Sequence, residues 1–218
     1  MVKGTAASPS KERRDLERLA TREKILEAAR EMFNDVGVEA TTMRAIADRI
    51  GYTATAIYYH FKDKDALFLE LCHRDFGQLA NVIARAASMA DPIERIRRTG
   101  MAYVDFGLQN QSQYKFMFMT ETRAVTPEES GLDKNNPEEN AYAFLLQCVA
   151  DAINQGRLRP EACAHQDHVA NMLWAAVHGV VSLQMTKKHD HYCDWNDARA
   201  IAELTIDTVI RGITEAKQ

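Results

Sequence analysis

Apolar residues in this chain recur at three- and four-residue intervals in almost every long segment, and no stretch alternates apolar with polar between turn signals. Such spacing lines side chains along one face of a helix, whereas a half-buried strand needs a period of two. Only five prolines and ten glycines occur among 218 residues, too few to break that pattern often. The expectation is an all-α fold. With 46% hydrophobic and 27% charged side chains the composition is that of an ordinary globular protein. The length suits a small domain joined to a larger one.

Residues 1–20 read as a flexible N-terminal arm. Gly4, Ser8, Pro9 and Ser10 lie in it, and its basic residues Lys3, Lys11, Arg13 and Arg14 precede no apolar run of the secretory type. A first helix carries Ile25, Ala28, Ala29, Met32, Phe33 and Val36 on one face and ends at Gly37. Thr41 and Thr42 offer hydroxyl caps to a short second helix with Ile46, Ala47 and Ile50 inward, stopped by Gly51. A third runs from Thr53 or Ala54 to His60 around Ile57. Asp63 can cap a longer fourth with Leu67, Leu71, Leu79 and Ile83 along one side. Asp91, Pro92 and Glu94 have the order of a helix start, for a fifth helix reaching about Asn110. A short apolar helix follows with Tyr114, Phe116, Met117, Phe118 and Met119. Residues 120–137 read as a loop, and three further helices fall at about 138–156, 165–188 and 195–215.

The stretch from Thr41 to Lys64 carries the functional signal. Two short helices joined through a glycine suit a helix-turn-helix, in which the second helix enters the DNA major groove. Thr53, Ala54, Thr55 and Ala56 are small enough to bring backbone close to base edges, and their methyls and hydroxyls match thymine methyls and polar edges. Tyr58, Tyr59 and His60 can donate to phosphates, and Lys62 and Lys64 flank the start of the fourth helix. Arg44 lies in the first turn of the second helix, next to Thr42. No acidic residue occurs between Thr53 and His60 to repel a phosphate backbone. The candidate DNA-facing set is thus Thr42, Arg44, Thr53, Ala54, Thr55, Ala56, Tyr58, Tyr59, His60, Lys62 and Lys64.

Net charge is −4 and the pI is near 6.0, so the chain is no polycation and any DNA contact must be local. Residues 1–64 hold 12 Lys and Arg against 10 Asp and Glu, and the remainder 15 against 21. No segment reaches the roughly 20 apolar residues of a membrane span. The cysteines Cys72, Cys148, Cys163 and Cys193 are widely spaced and read as reduced thiols in a cytoplasmic protein. Metal ligand types cluster at Cys163, His165 and His168 and at His189, His191, Cys193 and Asp194, but with no familiar zinc spacing. A di-iron site needs two Glu-x-x-His motifs, and only Glu70 with His73 supplies one. No nucleotide, protease or esterase motif occurs, so no cofactor, metal or enzymatic activity is expected.

Taken in order, Arg22, Ile25, Leu26, Ala28, Ala29, Phe33, Gly37, Thr41, Thr42, Ile46, Ala47, Gly51, Ile57, Tyr58, His60, Phe61, Lys64 and Leu67 resemble the N-terminal pattern of the TetR family of bacterial one-component regulators. Tyr52 departs from it, since the family more often has a small aliphatic residue after the glycine. Trp174, His178 and Gly179 resemble a Trp-x-x-x-His-Gly subgroup of that family's C-terminal domains, with Gly179 offering a close approach to another helix. The resemblance implies a DNA-binding domain at 21–64 and a helical effector-binding and dimerisation domain at 65–218. It implies a homodimeric repressor that leaves a palindromic double-stranded DNA operator when a small apolar or amphipathic ligand binds between the C-terminal helices. Tyr103, Phe106, Phe116, Met117, Met119, Trp174 and His178 are pocket candidates, though aromatic and Met side chains serve equally as core. Val177, Val181, Ile201, Leu204, Thr205, Thr208 and Val209 are candidates for a dimer interface, with core packing the alternative for each. A helical ligand-binding or protein-interaction module without sequence-specific DNA binding is the competing reading.

Overall fold

The computed structural model describes residues 9–131, 133–192 and 197–214. Helices follow one another throughout: α1 (Pro9–Val36), α2 (Met43–Arg49), α3 (Ala54–His60), α4 (Lys64–Ala86), α5 (Pro92–Gln109), α6 (Gln111–Phe118), α7 (Pro127–Ser130), α8 (Ala141–Asn154), α9 (Pro160–Cys163), α10 (Gln166–Lys187) and α11 (Ala198–Ile213). Among the described residues extended pairing is confined to one isolated bridge between Leu158 and Thr214. None of their helices is long and apolar enough to cross a membrane.

Local chemistry sets the helix starts. Thr42, Thr53, Asp63 and Asp91 each accept a hydrogen bond from a backbone N–H in the first turn of α2, α3, α4 and α5, and Pro92 opens α5 where its missing N–H costs nothing. Gly37 (φ 85°) ends α1 and Gly51 (φ 72°) turns the chain between α2 and α3, in backbone that only glycine adopts without strain. Two sequence expectations change. The arm expected over residues 1–20 is helical from Pro9 onward, residues 1–8 lying outside the described residues. The loop expected after Thr120 contains a single helical turn, α7.

Two apolar cores result. The first gathers Ile25, Ala29 and Phe33 of α1, Ile46 of α2, Ile57 of α3 and Leu67, Phe68 and Leu71 of α4, and it is closed by Phe116 of α6. The Phe116 ring stacks on Phe33 at 6.0 Å and meets Phe68 edge-on at 5.9 Å. The second core is built from α5, α8, α10 and α11 with Leu79 and Ile83 from the far half of α4. A cut at residue 64 therefore misses how α4 works: its N-terminal half belongs to the first core and its C-terminal half to the second.

Candidate DNA-reading hairpin and effector cavity

Ile57 is fully buried beneath α3, which turns Thr55, Tyr58 and Tyr59 outward. Tyr58 is 53% and Tyr59 77% exposed, an unusual state for large aromatics with no partner to cover them. Thr53 is exposed and Ala54, Ala56 and His60 are half-buried. The Thr42 and Thr53 oxygens are occupied as acceptors by the caps, yet each hydroxyl proton remains free to donate. Arg44 extends into solvent on the same hairpin, 3.9 Å from Asp48, and Lys62 lies 3.9 Å from Asp63. Lys64 is differently engaged: its ammonium donates to the carbonyls of Val38 (2.7 Å) and Glu39 (3.1 Å), so it fixes the loop after α1 to the start of α4. Tyr52 is half-buried, and its N–H donates to the Ala47 carbonyl at 2.9 Å across the α2–α3 turn.

Arg22 holds the end of the hairpin. Its guanidinium donates to the His60 carbonyl at 3.0 Å, lies 4.0 Å over the Phe61 ring and pairs with Glu70 at 3.2 Å. Burial, with the positive charges of Arg22 and Arg18, lowers the His60 pKa and keeps the ring neutral.

Behind the hairpin lies an ion pair that sequence reasoning missed. Arg30 of α1 donates through two nitrogens to both carboxylate oxygens of Asp75 of α4, each at 3.0 Å, and both residues are buried. Gln113 of α6 donates to the same carboxylate at 3.0 Å. One buried acid thereby ties together the helix that supports the hairpin, the connecting helix and α6. A signal was present: Arg30 follows Ala28 and Ala29, and Asp75 stands midway between Leu71 and Leu79 on the same face, where an apolar residue is the usual choice.

A cavity of about 500 Å³ opens between the second core and the first, within the size range of small-molecule sites. Phe68, Cys72, Phe76, Leu79 and Ile83 of α4 form one wall, Ile96, Thr99, Gly100 and Tyr103 of α5 another, and Leu145, Leu173, Trp174, Val177, Ile206 and Val209 complete it. Phe116, Met117 and Phe118 of α6 also face it, and Arg123, Lys134, Asn140 and Tyr142 bring polar groups. Burial, then the neighbouring Asp75 charge, pushes the Cys72 thiol up to about 12 and leaves it protonated.

Of the pocket candidates, Tyr103, Phe116, Met117 and Trp174 line the cavity. Phe106 does not border it but packs elsewhere in the second core, and Met119 lies at the end of α6 against that core. His178 stands behind the wall instead. The Trp174 indole N–H donates to the Tyr103 hydroxyl (3.1 Å), Tyr103 donates to Tyr114 (3.0 Å), and the Tyr114 hydroxyl reaches His178 Nδ1 at 2.6 Å. The Tyr103 hydroxyl also lies 3.1 Å from the same nitrogen; where either hydroxyl donates to Nδ1, the imidazole is neutral with its proton on Nε2. Burial lowers the His178 pKa and raises that of Tyr103 to about 12, which keeps every member uncharged.

The dimer candidates divide. Val177 and Val181 are buried within the chain at 4% and 0% exposure, so they are core, and Val177 and Val209 border the cavity. Ile201 and Thr205 are half-buried, while Leu204 and Thr208 are exposed. Gly179 meets no atom within 4 Å of where a Cβ would stand, so it makes no close helix crossing inside the chain. Gly107 does: a Cβ there would come within 2.6 Å of Val181 and 2.8 Å of Tyr114. Metal-type side chains do not assemble; no group of three His, Cys, Asp or Glu occurs among the described residues, which exclude Cys193 and Asp194.

Residues 25–71 match the family model for bacterial regulatory proteins of the tetR family, and residues 96–209, over half of the chain, match that for the tetracyclin repressor-like C-terminal domain. The chain belongs to the TetR family. Among TetR relatives, the transcriptional repressor AcnR of Corynebacterium diphtheriae is 41% identical over 63 residues, 29% of this chain and 33% of that protein. The match thus spans about a third of AcnR. The repressor KstR2 of Mycolicibacterium smegmatis is 26% identical over 148 residues, 64% of this chain and 68% of that one. The solved structure of the ketosteroid transcriptional regulator KstR2 of Mycobacterium tuberculosis superposes with a TM-score of 0.69 at 23% identity, covering 90% of this chain and 96% of that chain. At that identity the likeness is one of fold.

Proposed function

We propose that this TetR family member is a DNA-binding transcription regulator and not an enzyme, a homodimeric repressor released from a two-fold symmetric operator by a small apolar or amphipathic effector. The observation that carries the reading is the position of α4. Phe68 and Cys72 belong both to the core under the hairpin and to the cavity wall, so filling the cavity acts on a helix that shares its core with α3. An effector that prefers a shifted α4 must weaken DNA binding, and DNA must weaken effector binding by the same factor.

Thr55, Tyr58 and Tyr59 are the outward groups on α3, with Thr42, Arg44, Thr53 and Lys62 around them. In this reading Thr55 meets a base edge and the tyrosine hydroxyls meet phosphates, while Ala54 and Ala56 allow the approach. Lys64 supports the hairpin through its carbonyl contacts. For the dimer, Met172, Ala175, Gly179 and Leu183 recur at three- and four-residue spacing on the outward face of α10, beside Leu204 and Thr208 of α11. Met172, Leu183 and Leu204 are 42%, 41% and 66% exposed, and the open space at Gly179 suits a partner's helix. This stripe replaces Val177 and Val181 as the interface.

The test is retention of duplexes from a randomised pool by the purified chain at fixed salt. A two-fold symmetric sequence, bound by two copies, is the expected recovery. Recovery of no sequence above background by a folded dimer would overturn the reading in favour of a ligand-binding or interaction module.

A further inference from the structure

We infer that the exposed N-terminal face of α1 bearing Lys11, Arg14 and Arg18 is a second DNA-binding surface, one that takes duplex phosphates flanking the site read by α3; this rests on the DNA-binding reading above. At 100° per residue these three side chains, with Arg22, share one narrow stripe of the helix. Glu12 and Glu17 fall on other sides, and Asp15 borders the stripe. Residues 9–20 extend α1 by about 18 Å, and residues 10–20 are all exposed. They are helical without any apolar core to hold them.

The stripe is anchored at the hairpin. Arg22, its last member, donates to the His60 carbonyl and lies over Phe61, so the extension leaves the domain beside the C-terminal end of α3. Arg18 stands close enough for its charge to act on His60. Charge availability separates these residues from their neighbours. Arg13, off the stripe, pairs with Glu17, Arg49 with Glu31 and Arg74 with Glu23, whereas Lys11, Arg14 and Arg18 form no ion pair among the described residues. Three cations without an ion pair, on one stripe of a helix that passes beside the end of α3, match a polyanion whose charges also repeat along a line.

The full chain and a Lys11→Gln, Arg14→Gln, Arg18→Gln triple variant are titrated across a salt series onto two duplexes carrying the sequence recovered from the randomised pool. One duplex ends at the symmetric site; the other continues beyond it on both sides. A control variant, Arg13→Gln, Arg85→Gln, Lys188→Gln, removes the same charge off the stripe. On the longer duplex the stripe variant is expected to bind with a shallower salt dependence, by about 0.9 per lost phosphate contact and so about 2.7 per protomer in the log–log slope. On the shorter duplex, and for the control on both, the slope stays that of the wild type. An unchanged slope for the stripe variant, or equal flattening by the control, overturns the inference while leaving wild-type binding to the symmetric site intact. Failure of the wild type to retain any duplex instead removes the DNA-binding reading, and this surface with it.

Discussion

The hydroxyls of Tyr103 and Tyr114 stand between an indole N–H and an imidazole nitrogen, and that order makes His178 useful only when neutral. Its pKa lies below the ordinary 6.5 because burial disfavours the imidazolium. The unfolded chain therefore takes up a proton at higher pH than the folded one, so the contribution to stability is complete above 6.5 and is lost as the pH falls below it. His60 shifts in the same direction and adds to the same decline. The melting temperature is expected to drop between neutral pH and about pH 5, and His178→Asn, which keeps an acceptor but cannot titrate, should make that drop shallower. An equal drop in the variant would exclude His178 as a source. Asp75 is needed for its pairing: Asp75→Ala removes the bidentate partner of the buried Arg30 guanidinium and leaves it only the exposed Glu27 carboxylate, which should cost about 3 kcal/mol in denaturant unfolding. Replacing both partners with apolar residues of similar volume should recover much of that loss. The pairing of Asp75 is not legible in sequence because an acid inside an apolar helix stripe looks like a gap until its arginine, 45 positions away, is brought beside it.

The helices differ in what holds them. The starts of α2, α3, α4 and α5 were legible because Thr42, Thr53, Asp63 and Asp91 satisfy first-turn N–H groups that no tertiary contact could serve, and Gly37 and Gly51 mark the turns. The start of α1 was not legible from periodicity, because residues 9–20 bury nothing; Leu16 and Leu19 are 66% and 52% exposed. Good helix formers such as Arg, Glu, Leu and Ala carry that segment instead. Glycines within helices are hard to place from sequence for a related reason: sequence shows that a glycine is small but not what faces it. Gly107→Ala should destabilise the chain by about 1–3 kcal/mol, read in denaturant unfolding, because Val181 and Tyr114 occupy the space of the new Cβ. Gly179→Ala meets open space within the chain and should stabilise α10 by up to about 1 kcal/mol at concentrations where the protein is monomeric. A loss as large as that at Gly107 would mean that α10 is already covered there.

At the level of the whole molecule, the fold class and the reading hairpin could be inferred from sequence, whereas the cavity could not, since it depends on how six helices leave a gap between them. In sequence Tyr103, Trp174 and Phe106 are equally good candidates, and only the packing separates Tyr103 and Trp174, which face the cavity, from Phe106, which does not. The proposed dimer face was hidden in the same way: Val177 and Leu204 look alike in sequence, but one is buried and the other is exposed. Leu183→Glu combined with Leu204→Glu should shift the protein to monomer in sedimentation and weaken operator binding sharply while preserving helicity. A dimer of unchanged affinity would place the interface elsewhere. The link between cavity and hairpin through α4 is open to one direct measurement. A ligand found by its rise in melting temperature across a panel of apolar and amphipathic compounds is titrated into the protein with and without saturating selected duplex. The duplex is expected to raise the ligand Kd by about 5–150-fold, and the ligand to raise the duplex Kd by the same factor; a ligand Kd that is identical in the two titrations would contradict it.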